Sequence, residues 1–263
     1  MSYCWINVKE ISFKNLLLLE REQISWFPGW LPEAELAIAL RANESVAWYF
    51  RHKCSEVNDW VDKVFAENGA IGTDEEMIRE AEIKVMQSMN DLLTYAVDPG
   101  IYDKQAFLNW DSAELSGRVD FSDKIVLDIG AGTGRLAFIA AEKAETVYAV
   151  EPVENLRRYI KTKAKKLGFS NVFVADGLIE DIPFPNEFAD VVMGGHVFGD
   201  HPESEFEESM RVIKRRGMLI FCPGNNDVDD ARHEFLVAQG CEWSRFEEPE
   251  DGWKRKYWVN KGD

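Results

Sequence analysis

Two spacing regimes divide the chain near residue 123: apolar positions recur at helical intervals before it, and short β-branched runs alternate with helical stretches after it. Val57, Trp60, Val61, Val64 and Phe65 follow the i, i+3, i+4, i+7, i+8 stripe of an amphipathic helix. Asn68-Gly69 reads as its stop, because glycine takes the left-handed conformation that ends helices. Thr73 with Glu76 reads as a capping box. The helix it opens carries Ile78, Ala81, Val85, Met89 and Leu92 on one stripe and closes at Pro99-Gly100. An earlier helix is expected from about Pro32 towards His52. Residues 1–115 are thus expected to form a helical extension and residues 116–263 a separate domain.

From Lys124 the alternation is regular. Strands are expected at 124–129, 146–150, 171–175, 189–194 and 218–222, with helices at about 134–143, 153–167, 203–214 and 229–239. Strand–helix–strand alternation implies parallel strands joined by right-handed crossovers, and near-continuous apolar runs fit strands buried on both faces. The tail breaks the rule. Residues 241–246 and 256–260 read as strands joined by a polar segment too short for a crossover helix, so they should form an antiparallel hairpin. The expected fold is α/β: a doubly wound, mostly parallel seven-stranded sheet with an antiparallel C-terminal hairpin and an N-terminal helical extension.

Composition narrows the partners. A hydrophobic fraction of 46% supports a buried core, and a net charge of −17 repels phosphate backbones, which disfavours a nucleic-acid substrate. The one basic cluster, Arg157, Arg158, Lys161, Lys163, Lys165 and Lys166, falls on an expected helix and reads as a solvated face. Cys4, Cys54, Cys222 and Cys241 are scattered without a CxxC pair, which argues against a metal site or a disulfide framework and for a reducing compartment. The early apolar run at 16–19 is far too short for a membrane span. The expectation is a cytoplasmic protein with no membrane partner.

The densest chemical signal is Asp128-Ile129-Gly130-Ala131-Gly132-Thr133-Gly134, which follows an expected strand and opens a helix. Glycines there allow a tight turn and let a ligand approach the backbone without meeting a Cβ. The nicotinamide-dinucleotide fingerprint needs GxGxxG, and Arg135 stands where its third glycine would be. Asp128, two residues before the first glycine, suits an amino or cationic centre better than a pyrophosphate. S-adenosylmethionine has no phosphate and carries both an ammonium and a sulfonium. Glu151, at the end of the second strand, is placed to accept hydrogen bonds from ribose hydroxyls. Asp176, ending the third strand, is placed to reach an adenine amino group or to cap the following turn.

The stretch 126–134 resembles motif I of class I S-adenosylmethionine-dependent methyltransferases, and Val150-Glu151-Pro152 resembles their second motif. Residues 181–192 and 211–219 are similar to later segments of the small-molecule, methyltransferase type 11-like branch. The resemblance covers about residues 120–260 and implies a Rossmann-like methyltransferase fold with S-adenosylmethionine as cofactor. It implies that Asp128 helps to hold the methionine end, with Gly130, Ala131, Gly132 and Gly134 forming the floor. It implies Glu151, followed by Pro152, at the ribose; Asp176, Gly177 and Leu178 at the adenine; and Gly194 and Gly195 beside the methionyl group. Gly194-Gly195-His196 reads as unusually open, which would widen the pocket.

Methyl transfer is an in-line displacement in which the enzyme supplies proximity and alignment. His196 and His201 follow the fourth strand, on the sheet edge where ligands of open α/β folds gather, and are the candidate general bases; loop packing or capping explains them equally well. Tyr102 and Trp110 are candidate covers for the cofactor. The aromatics of the extension, such as Trp26, Trp30 and Trp48, suit an acceptor pocket, ordinary helix packing or a homodimer interface. The favoured function is methyl transfer to a small-molecule acceptor. The alternatives are an S-adenosylmethionine-binding regulatory or assembly protein without catalysis, and a nicotinamide-dependent oxidoreductase.

Overall fold

The computed structural model describes residues 4–69 and 74–262. The chain divides into two compact units, Met1–Tyr102 and Asp103–Asp263. Residues 103–115, grouped with the extension by sequence, therefore pack with the sheet; Trp110 and Leu115 are buried in its core.

The first unit is helical: α1 (Arg21–Ser25), α2 (Glu33–Ala42), α3 (Glu44–Lys53), α4 (Asn58–Glu67), α5 (Glu75–Ser88), α6 (Asn90–Val97) and α7 (Pro99–Tyr102), with short 3-10 turns between some of them. The single helix expected between Pro32 and His52 is two. Asn43 breaks it at φ −125°, ψ 68°, and its amide donates to the Ala39 carbonyl and to Glu82. α4 buries Val61 and Val64 as its stripe requires. It stops without a left-handed glycine: the Asn68 amide donates to the Val64 carbonyl instead, at 2.9 Å. Thr73, the expected cap of the next helix, lies outside the described residues. The Asp74 carboxylate accepts the Glu76 N–H at 3.3 Å. Pro99-Gly100 opens a short helical turn rather than closing one, consistent with proline's fit at a first helical position.

The second unit holds one seven-stranded sheet in the order β3-β2-β1-β4-β5-β7-β6. Its strands are β1 (Ile125–Ile129), β2 (Thr146–Val150), β3 (Val172–Ala175), β4 (Ala189–Gly195), β5 (Ile213–Cys222), β6 (Glu242–Glu248) and β7 (Gly252–Asn260). The first five pair in parallel, and β7 runs antiparallel to both β5 and β6. Its helices are α8 (Ala113–Ser116), α9 (Arg135–Ala141), α10 (Glu154–Leu167), α11 (Pro202–Val212) and α12 (Ala231–Ala238). β5 starts earlier than the sequence suggests, because Ile213 already pairs with Ala189 and the register then shifts before Val191 meets Met218.

Alternate residues along the central strands face opposite layers. Val126, Val191 and Ile220 point into the core shared with α9, while Leu127, Val192 and Phe221 point into the other. The strand order reverses at β1/β4, so the carboxyl ends of these two strands flank the crevice where open α/β sheets bind ligands. Among the described residues no helix is long and apolar enough to cross a membrane.

Phe221 is 1% exposed and stacks on Phe198 at 4.7 Å between centroids. Phe221→Ala is expected to cost about 3–5 kcal/mol in urea unfolding of the sheet unit; a loss below about 1 kcal/mol would contradict this packing.

Candidate functional site

The turn after β1 is shaped by its glycines. Gly130, Gly132 and Gly134 all have positive φ, at 62°, 55° and 84°. A Cβ at residue 130 would lie 2.5 Å from Val197, and one at residue 134 would lie 2.7 Å from Phe138. The loop needs glycine both for its conformation and for the close approach of its neighbours.

Two carboxylates pin this loop from below. Asp128 is 1% exposed at the end of β1, and its Oδ2 accepts the Ala137 N–H in the first turn of α9 at 2.8 Å. Its Oδ1 is buried with no hydrogen-bond partner among the described residues, as is the Thr133 hydroxyl in the same loop. Glu151, 4% exposed, follows β2 and reaches back across the sheet edge. Its Oε2 accepts the Gly132 N–H at 2.8 Å and its Oε1 accepts the Val153 N–H at 3.0 Å. Burial pushes the Asp128 carboxyl up to about 8, opposed by the Ala137 N–H and reinforced by the nearby charge of Glu151. Burial likewise pushes Glu151 up to about 7, against the Val153 and Gly132 N–H groups.

Arg157, read from sequence as one of a solvated row, is the tie between strand ends. Its guanidinium donates to the carbonyls of Glu151 and Pro152 and to Asp176 Oδ1, at 2.8, 2.5 and 2.8 Å. Asp176 ends β3 with its side chain 72% exposed, so it stands at the rim with Arg157 as its partner. A Cβ on Gly177 would lie 2.6 Å from Pro183 and 2.9 Å from Val150, which fixes glycine there by packing. Leu178 closes a small backbone bridge with Asp181. Arg135, at the third-glycine position of the dinucleotide fingerprint, donates to the carbonyls of Leu108 and Trp110 at 2.7 and 2.6 Å, with its guanidinium over the Trp110 ring. Trp110 is thus a buried strut for the start of α9, and Tyr102 belongs to the other unit.

At the end of β4 the Gly194 position is filled rather than open. A Cβ there would lie 2.7 Å from Val197 and 3.3 Å from both the Ile129 carbonyl and Phe221. Gly195 has more room, with Leu136 as its nearest neighbour at 3.4 Å. The space beside Gly130 and Gly194 is occupied by one side chain, Val197, which sequence inspection did not single out.

The two candidate histidines part company. His196 takes φ +58°, a left-handed conformation uncommon for a non-glycine residue, and its N–H donates to the Cys222 carbonyl at 2.7 Å. Its Nε2 lies 2.7 Å from Oε1 of Glu248, which is 1% exposed at the end of β6. His201 is 70% exposed and faces Glu180 at 2.9 Å, ahead of α11. Glu205, also buried, accepts the N–H groups of Gly199, Asp200 and His201 and so fixes the loop between the two histidines. Glu248 and Glu205 escaped the sequence reading because each acts on residues its own local pattern does not indicate. The antiparallel return of the hairpin, visible in the sequence, was the one clue that β6 ends near the carboxyl edge.

Residues 127–221 match the methyltransferase domain family. Over 149 residues the chain is 28% identical to an uncharacterized methyltransferase of Anoxybacillus flavithermus, covering 55% of this chain and 67% of that protein. It is 33% identical over 143 residues to the histone-arginine methyltransferase CARMER of Drosophila erecta, covering 52% of this chain and only 27% of the fly protein. Among solved structures, a chain in the complex of the Haloferax volcanii Trm112 methyltransferase activator with a methyltransferase aligns with TM-score 0.50 and 15% identity. That alignment covers 64% of this chain and 93% of that one, and shows a shared fold.

Asp128 binds a proton more tightly in the fold than in the unfolded chain. Its contribution to stability is therefore full below the ordinary carboxylate range and is lost as pH rises through about 8. The stability difference between wild type and Asp128→Asn, from urea midpoints, should fall between about pH 5 and pH 8.5. A difference that grows over that range would contradict the burial argument.

Proposed function

We propose that the chain is a class I S-adenosylmethionine-dependent methyltransferase that transfers the methyl group to a small-molecule acceptor by in-line displacement, a reading supported by the match of residues 127–221 to the methyltransferase domain family. The observation that carries the cofactor side of this reading is the unpartnered, buried Oδ1 of Asp128 beside a glycine cradle that a Cβ would fill. A buried acceptor without a donor is costly, and a ligand ammonium at this edge would relieve it. When bound, S-adenosylmethionine supplies an activated methyl on a sulfonium.

The residues around it then have defined work. Asp128, together with the backbone of Gly130, Ala131, Gly132 and Gly134, binds the methionine end. Glu151 orients the ribose and, with Pro152, shapes the wall at the end of β2. Its two oxygens keep free lone pairs after accepting the Gly132 and Val153 N–H groups. Asp176, Gly177 and Leu178 line the adenine side, with Arg157 setting the direction of Asp176. Gly194 and Gly195 border the methyl-bearing end, and Val197 must yield or flank the cofactor there. His196 is the favoured proton acceptor, because it is anchored to a buried carboxylate; the exposed His201 is the weaker choice. We assign acceptor selectivity to the helical unit, whose sequence carries none of the cofactor motifs.

The net charge of −17 and the fly histone-arginine methyltransferase relative favour a second reading, in which a basic peptide is the acceptor. Thermal-shift measurements should show stabilisation by S-adenosylmethionine and S-adenosylhomocysteine and none by NAD. Stabilisation by NAD alone would sink the cofactor assignment. Labelled methyl transfer to a small-molecule extract, and not to basic peptides, is expected; label in the peptides alone would decide for the second reading. Asp128→Ala should weaken cofactor affinity by about tenfold or more, the scale of one hydrogen bond to a charged group.

A further inference from the structure

His196 and Glu248 are brought together from residues 52 apart in sequence, at the carboxyl edge of the sheet. Three features distinguish the pair from an ordinary surface contact. Glu248 is 1% exposed, its Oε1 meets His196 Nε2 at 2.7 Å, and its Oε2 is buried without a partner among the described residues. His196 is held in a left-handed backbone conformation by its N–H bond to the Cys222 carbonyl, the kind of local strain that clusters at functional sites. Gly224 packs against the imidazole, where a Cβ would stand 2.6 Å from Nδ1 and 2.9 Å from Cε1 and Cγ, so only glycine lets the ring sit in this place. The imidazole side chain keeps 37% exposure, so a proton taken up there can leave to water.

We propose that Glu248 is the positioning residue that keeps the His196 proton on Nε2, leaving the Nδ1 lone pair as proton acceptor for a methyl acceptor bearing an O–H or N–H. The assignment follows from hydrogen-bond chemistry. An ionised carboxylate only accepts, so with Glu248 ionised a neutral His196 donates from Nε2 and carries its lone pair on Nδ1. This inference rests on the methyltransferase reading above and restricts its substrates to those whose reacting heteroatom loses a proton. In the step, the heteroatom's lone pair forms the bond to the methyl carbon and the C–S bonding pair stays on sulfur. The heteroatom's proton passes to Nδ1, and the resulting imidazolium is paired with the Glu248 carboxylate until it returns the proton to solvent. The neighbouring Cys222 thiol, pushed up to about 12 by burial, also lies in the field of Glu248 on β6, Lys256 on β7 and Glu114 on α8.

The test uses the full chain with 15N-labelled histidine and long-range 1H–15N spectra above pH 7.5. There are four histidines, and loss of a signal in His196→Gln assigns the one in question. The expected result is the Nε2–H tautomer in wild type and in Glu248→Asp, with Nδ1–H character gained in Glu248→Gln, whose amide can donate as well as accept. Binding of S-adenosylhomocysteine should stay within about twofold in all three variants. Methyl transfer from S-adenosylmethionine to a small-molecule extract should fall about 100-fold in His196→Gln and Glu248→Gln, the scale of lost general-base catalysis. It should recover in large part in Glu248→Asp. An Nδ1–H tautomer in wild type, a tautomer indifferent to Glu248→Gln, or undiminished transfer by His196→Gln would each overturn the proposal. His196→Gln keeps an amide donor for Glu248, so it decides the matter should Glu248→Gln fail to fold. Absence of transfer by wild type would count against the methyltransferase reading itself, while the tautomer still decides the pairing.

Discussion

The constraint on which the site depends is the burial of two carboxylates, Asp128 and Glu151, under the glycine loop at the carboxyl ends of β1 and β2. Among the described residues neither has a salt-bridge partner in contact; both are met by backbone N–H groups, at Ala137 for Asp128 and at Gly132 and Val153 for Glu151. These bonds set the path of the chain from β1 into α9, and the positive φ values at Gly130, Gly132 and Gly134 are the conformational consequence. Burial raises the proton affinity of both acids, for Glu151 against the nearby charge of Arg157, and a ligand that brings positive charge would offset it. S-adenosylmethionine brings two such centres. The same loop would meet a pyrophosphate with the wrong sign of charge, and Arg135, which stands at the third-glycine position, is spent on the carbonyls of Leu108 and Trp110.

The far edge of the sheet is built differently. The strand β7 buries Lys254, Arg255 and Lys256, an expensive choice unless each cation is paired. Arg255 meets Asp227 and Asp229, Lys254 meets Asp251 and Asn226, and Lys256 meets Glu114. These contacts tie the hairpin to the loop after β5 and to α8, so that β6 delivers Glu248 to His196 in a fixed place. Glu205 does comparable work for the loop between His196 and His201, where three backbone N–H groups converge on one carboxylate.

Much of the sheet was legible because near-continuous apolar, β-branched runs mark the parallel strands, and a short polar link betrays the hairpin. The bounds of β2 agree at both ends, and β6 and β7 pair antiparallel as anticipated. The helical unit was less legible. Breaks at Asn43 and Met89 depend on side-chain hydrogen bonds and on Asn90 capturing the backbone of Trp5 and Ile6, long-range events with no local sequence mark. At the site, the glycines and the two strand-end acids were visible because type and spacing carry the signal. Val197, Arg157 and Glu248 were not, because what matters is the direction in which a side chain returns across the sheet edge. Gly194 shows the same limit: glycine in sequence suggested an open pocket, and the neighbouring Val197 fills it.

The central claim, that buried acids under the loop receive a cationic cofactor, is most directly tested by calorimetric titration with S-adenosylmethionine near pH 7 in buffers of different ionisation enthalpy. A ligand cation draws Asp128 and Glu151 towards their ionised forms, so binding should release protons, and Asp128→Asn should reduce the number released as well as the affinity. Binding with no buffer dependence, or with a proton release that Asp128→Asn leaves unchanged, would contradict the account.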